Sequence, residues 1–70
     1  MPEDTQYHAL DFLTLTVHGS GICFVKINEA GRNYVDGKLY KGVNYSTMNE
    51  FDGNFKVDVE GKIDSTVVLR

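Results

Sequence analysis

Three side chains in this sequence have the chemistry of a nucleophile or a base: the imidazoles of His8 and His18 and the thiol of Cys23. His18 and Cys23 flank Gly19-Ser20-Gly21, so a Cys-His pair across that interruption is geometrically open. The competing reading is stronger. Cys23 lies in an apolar run, where a lone cysteine behaves as a small buried hydrophobe, and His18 shares a polar face with Thr14 and Thr16. No third group orients such a pair and no Cys/His cluster has ligand spacing, so the sequence predicts no catalytic residue, no metal site and no cofactor. Asp52-Gly53-Asn54 opens like a calcium loop but lacks the later acidic position and the closing glutamate, and reads as a turn. Gly19-Ser20-Gly21 would cradle a phosphate only if it opened a helix, and a strand follows it.

One constellation has positive content. Phe24, Lys26, Arg32, Tyr34, Lys38, Tyr40, Lys41 and Tyr45 interleave aromatic rings with cations, and single-stranded nucleic acid is held by stacking bases on rings while cations follow the backbone, at about 1 to 3 kcal/mol per stack. The plainer alternative is that Phe24 and Tyr45 are core aromatics and the lysines a solvated face. A second set, Glu50, Asp52, Asp58, Glu60 and Asp64, could instead occupy a basic channel of a partner protein.

The elements that must position these residues are bounded by length and charge. Seventy residues make a single core, because so short a chain buries only about 60% of its unfolded surface. Without a disulfide or metal staple, dimerisation is one expected source of further stability. The formal charge of −3 argues against a strongly basic nucleic-acid binder. The charge is nevertheless uneven. From Phe24 to Tyr45 there are four basic and two acidic residues, against three basic and eight acidic in the remainder. A lone cysteine and an acidic start, Met1-Pro2-Glu3-Asp4, suggest the cytoplasm, and no apolar run approaches the roughly 20 residues of a membrane span.

Along the chain, residues 1–8 read as a loose, flexible N-terminal arm and residues 9–70 as one all-β domain. Leu13, Leu15 and Val17 alternate with Thr14, Thr16 and His18, the rhythm of a half-buried strand. Gly19-Ser20-Gly21 is either a tight hairpin or a bend within one long strand, with the bend preferred, and Ile22 to Ile27 resumes the β pattern. Ala30-Gly31-Arg32-Asn33 reads as a turn, and Asp36-Gly37 as a type I′ hairpin turn because both positions accept positive φ. Lys38 to Met48 alternates as one strand, with Leu39, Val43 and Tyr45 sharing a face and Gly42 offering a bulge. After Asp52-Gly53-Asn54, Phe55, Val57 and Val59 face inward, and Gly61-Lys62 leads into a last strand with Ile63, Val67 and Leu69. The sum is a small five-stranded antiparallel sheet in meander pairing, or a partial OB-like barrel.

Gly21-Ile22-Cys23-Phe24-Val25-Lys26, the strand ending near Tyr45-Ser46-Thr47, and Phe55-Lys56-Val57-Asp58-Val59-Glu60-Gly61 together resemble the small family of integrating-conjugative-element replication proteins. More remotely they are similar to bacterial single-stranded DNA-binding proteins, which share the OB fold. The similarity spans residues 13 to 61. It departs at Cys23, where those families have a glycine, at Lys56, where they have an acidic residue, near Asp36, and after Leu69, where a full OB barrel needs further elements. The resemblance implies single-stranded DNA binding through Phe24, Lys26, Tyr45 and their neighbours. Two functions follow for a non-enzymatic domain: binding single-stranded nucleic acid in mobile-element replication, or acting as a phage or mobile-element inhibitor, of the anti-CRISPR kind, that blocks a host nucleic-acid-binding defence protein. An accessory domain pairing through an open sheet edge is a third.

Overall fold

The computed structural model describes residues 3–9, 12–29 and 31–69. The alternating pattern produces one antiparallel sheet of six strands, β1 (Glu3–Ala9), β2 (Phe12–Ile27), β3 (Arg32–Val35), β4 (Lys38–Lys41), β5 (Tyr45–Glu60) and β6 (Ile63–Leu69), in the order β1-β6-β2-β5-β3-β4. The class is all-β, as expected, but the strands number six and do not pair as a meander.

The architecture rests on β2 and β5, each of 16 residues. They pair along their whole length, from Phe12 opposite Glu60 to Ile27 opposite Tyr45. A straight strand of that length would span about 53 Å at roughly 3.3 Å per residue. The longest dimension of the molecule is 35 Å, so the ribbon must bend. The bend falls where Gly19 stands opposite Gly53, with φ of 117° and 106°, a backbone that side chains with a Cβ rarely adopt. On the inner face the rings of Phe51 and Phe55 close over Gly53, 5.7 Å apart. Gly21 has a different reason to be glycine: a Cβ there would run into the Val68 carbonyl oxygen of β6.

The bend divides the sheet. In the first half, β6 pairs with residues 21–27 of β2, and β1 pairs with the far side of β6. In the second half, β3 pairs with β5 between Val57 and Glu60, and β4 pairs with β3. Every pairing except that of β3 with β4 sets odd residues opposite odd, so one parity lines the interior throughout. Leu15, Val17, Cys23, Val25, Ile27, Phe55, Val57, Val59, Ile63 and Val67 are buried there in a single cluster with Ala9 and Val35. Two polar side chains join them. Ser65 shares a hydrogen bond of 3.5 Å with the Cys23 thiol, while the Asn33 Oδ1 is buried without a partner among the described residues.

The glycines at 19–21 therefore bend one strand and do not join two. Asp52-Gly53-Asn54, expected as a turn, is the other side of that bend and lies within β5. The expected loose arm is strand β1 from Glu3 onward, since pairing with β6 satisfies its backbone although its side chains are mostly polar. Asp36 and Gly37 have φ of 48° and 83°, the type I′ turn expected between β3 and β4. Arg32 and Asn33 belong to β3, not to a turn, and Ala30 lies outside the described residues. The expected strand from Lys38 to Met48 is broken at Gly42, φ 59°, into β4 and the start of β5. As a result Leu39 and Val43 are exposed and do not share the inward face of Tyr45. Gly61-Lys62 does lead into the last strand, but β6 pairs with β2 and β1 and not with β5. Among the described residues no helix is long and apolar enough to cross a membrane.

Candidate binding surface

The alternation that builds the core also separates the reactive groups. Cys23 is odd-numbered and fully buried, and burial pushes its thiol pKa up. His18 is even-numbered and exposed on the outer face, where its Nδ1 lies 2.7 Å from Asn54 Oδ1 on the paired strand. The Cys23–His18 pairing is thus not assembled. His8 of β1 is 2.6 Å from Asp64 of β6, and Asn28 Nδ2 donates to the other Asp64 oxygen at 2.8 Å. These hydrogen bonds, His8 first, hold the Asp64 carboxyl below its ordinary range. The cluster ties the edge strand to its neighbour, and no nucleophile adjoins it among its hydrogen-bond partners.

The interleaved aromatic and basic residues are dispersed over three places. Phe24 and Lys26 lie on the outer face of the first half. Arg32, Tyr34 and Lys41 lie on the outer face of the second half. Lys38, Tyr40 and Tyr45 form a structural corner: the two tyrosine rings pack 4.1 Å apart against the core, and the Lys38 ammonium sits 5.4 Å from the Tyr40 ring centre. Desolvation, with the Tyr40 hydrogen bond second, raises the Tyr45 phenol pKa. The two-residue turn at Asp36-Gly37 causes this dispersal, because it sets Tyr40 opposite Asn33 and so turns Tyr40 inward and Lys41 outward.

Lys26 and Tyr45 border a hollow of about 400 Å³ with Ile27, Asn28, Asn44 and Ser46, and the second group borders a groove. It is open, about 480 Å³, and lined by Phe12, Leu13, Thr14, Arg32, Tyr34, Asp58, Val59 and Glu60. β5 contributes two carboxylates to it, Asp58 and Glu60. Asp58 accepts a hydrogen bond from Thr14 Oγ1 at 2.9 Å and lies 3.4 Å from the Lys56 ammonium. A polyanion following Arg32 and Lys41 would have to pass these groups.

The acidic set is gathered to a greater degree. Glu50, Asp52, Asp58 and Glu60 all project from the outer face of β5, with Lys56 the only cation among them on that face. Asp64, on β6, is engaged by His8 and Asn28. Beside the acidic ridge, on β2, Phe24 stands directly opposite Met48. Both are exposed, at 44% and 64%, and they form an apolar patch at the Tyr45 end of the ridge. Two residues of this surface escape sequence reasoning. Met48 becomes a neighbour of Phe24 only through the β2–β5 register, and Phe12, 81% exposed, looks in the sequence like the start of a buried strand. No protein-family model, curated protein or solved structure matches the chain.

Proposed function

We propose that this chain is a non-enzymatic binding domain that docks through the outer face of β5 onto a basic surface of a nucleic-acid-handling protein, and so competes with that protein's natural polyanion. The observation that carries this reading is the ridge of four carboxylates on one strand face, with Lys56 among them and Arg32 opposite Glu60 on the neighbouring strand, flanked by the exposed Phe24–Met48 pair. Exposed ion pairs contribute little individually, a median of about 0 to 1 kcal/mol. Their work is to steer the encounter and to fix orientation. Affinity falls to the apolar pair: complete burial of such a side chain from water is worth about 1.5 to 3 kcal/mol, and roughly half of that is left to gain at Phe24 and Met48, which are already partly covered.

The single-stranded nucleic-acid reading, in an OB-like replication protein, is favoured by one feature, the exposed cluster of Arg32, Tyr34 and Lys41 beside the groove. It requires a phosphate backbone to run past Asp58 and Glu60, and charge opposes that path.

Two measurements separate the readings. Immobilised chain, exposed to nuclease-treated lysate of the source cells, is expected to retain a basic nucleic-acid-binding protein. The variant carrying Glu50→Gln, Asp52→Asn, Asp58→Asn and Glu60→Gln is expected to lose it. In parallel, a labelled single-stranded oligonucleotide is expected to show no saturable binding at low salt. Salt-sensitive oligonucleotide binding by the unaltered chain, with retention untouched by the four neutralisations, would reverse the assignment.

A further inference from the structure

The sheet has two terminal strands, β1 and β4, and two further free edges, one along part of β5 and one along part of β2. β6 accompanies β2 only as far as the pair Gly21–Leu69. From residue 12 to residue 20, β2 pairs with β5 on one side and, among the described residues, with no strand on the other. Backbone groups on that side are left to water, the arrangement that templates pairing with another chain.

The free edges differ in how they are protected. β4 carries Lys38 and Lys41 at its two ends, charges that discourage edge-to-edge association. The unpaired side of β5 carries Glu50 and Asp52. Residues 12–20 read Phe-Leu-Thr-Leu-Thr-Val-His-Gly-Ser and contain no Lys, Arg, Asp or Glu. Phenylalanine, threonine and valine there have strong sheet preference, and no charge or proline guards them.

We infer that residues 12–20 of β2 pair antiparallel with the same residues of a second copy of this chain, about a two-fold axis at Thr16. Several observations select a second copy as the occupant. The free segment is centred on Thr16, so the symmetric register uses all of it. That register sets Thr16 opposite its counterpart and Thr14 opposite His18, polar with polar on the outer face. It sets Leu15 opposite Val17 on the inner face, so the two interiors become continuous. It also sets Phe12 opposite Ser20. Phe12 is the most exposed large apolar residue described, and beside Ser20 lies a hollow of about 290 Å³ lined with Gly21, Glu50, Phe51 and Asp52. Each copy thereby gives Phe12 a place on the other, twice over, as an isologous contact requires. The chain's charge of −3 is carried outside this edge, since the segment contains no Lys, Arg, Asp or Glu. The pairing leaves Asp58 and Glu60 uncovered, while Glu50 and Asp52 border the hollow beside Ser20.

The test is the mass of the full chain in solution, by light scattering across a concentration series. A species of twice 7.9 kDa is expected, dissociating on dilution. Thr16→Glu places a carboxylate opposite Lys56 within its own sheet and opposite its like at the axis, so the monomer keeps its fold by circular dichroism while dimer affinity falls by about tenfold or more. Register is read by cross-linking. Thr16→Cys is expected to form an intermolecular disulfide under mild oxidation, Thr14→Cys alone is not, and a mixture of Thr14→Cys with His18→Cys is. A monomer at every concentration overturns the inference, as does a dimer indifferent to Thr16→Glu or one cross-linked equally well by Thr14→Cys alone.

Discussion

The two halves of the bent ribbon use the same strands to opposite ends. Residues 21–27 of β2 have a strand on each side, and Cys23, Val25 and Ile27 are sealed at 0 to 1% exposure with Ile63, Ser65 and Val67 of β6. Among the described residues, residues 12–18 of the same strand have a neighbouring strand on one side only; Leu15 and Val17 are buried, Leu13 is half-buried, and Phe12 stands in solvent. The side-chain rhythm is the same in both. What differs is the number of neighbouring strands. The first half holds the molecule together, and the second keeps surface and edge available.

Substitutions at the bend should break this comparison most sharply. Gly21→Ala drives a Cβ against backbone that cannot yield without moving β6, and should cost about 3 kcal/mol, read by urea unfolding. Gly19→Ala meets nothing within 4 Å; only its positive φ is strained, and the cost should be about 1 to 2 kcal/mol. Equal costs would mean that β6 is not seated on Gly21. The core comparison is next in size. Ile27→Ala, in the doubly flanked half, should destabilise by about 3 kcal/mol. Leu13→Ala, half-buried at the open edge, should destabilise by about 1 kcal/mol.

The smallest effect is electrostatic. Asp64 links β1 to β6, and its folded pKa is held below its unfolded value by His8 and Asn28. Its contribution is therefore present above the ordinary carboxylate pKa of about 3.9 and is lost as pH falls through the lower folded value. Asp64→Asn should flatten that part of the acid limb of a stability-against-pH curve and leave the neutral region less stable. An acid limb unchanged by the substitution would show that the latch does not hold β1.

Much of this fold is legible in the sequence, and the failures share a cause. The alternation from Leu13 to Val17 and from Phe55 to Val59 gives strands and their buried faces, and Asp36-Gly37 gives its turn, because each is decided by a few consecutive residues. Asp52-Gly53-Asn54 misleads because a positive-φ glycine looks the same locally in a hairpin and in a bend; only Gly19 across the ladder tells them apart. Strand β1 escapes because backbone pairing with a strand nearly the whole chain away holds Thr5-Gln6-Tyr7-His8 in place, and only Tyr7 and Ala9 of the strand reach the core. The binding surface is harder still. Linear spacing joins Arg32, Tyr34, Tyr40 and Tyr45, but the two-residue turn reverses parity and sends Tyr40 inward. The acidic residues are legible as a set by charge alone; that four of them share one strand face is not, because Asp52-Gly53-Asn54 reads as a turn between them.

The account depends on β2 and β5 being continuous across their glycines, and backbone NOE contacts test that directly. An unbroken antiparallel ladder is expected, with Hα–Hα contacts at the close pairs on both sides of Gly19 and Gly53, through Thr16–Lys56 or its neighbours and on through Ile22–Glu50 or its neighbours. Cross-strand contacts between His18 and Ile22, with none from Ser20 to Asp52 or their neighbours, would instead place a hairpin at Gly19-Ser20-Gly21 and contradict the bent ribbon.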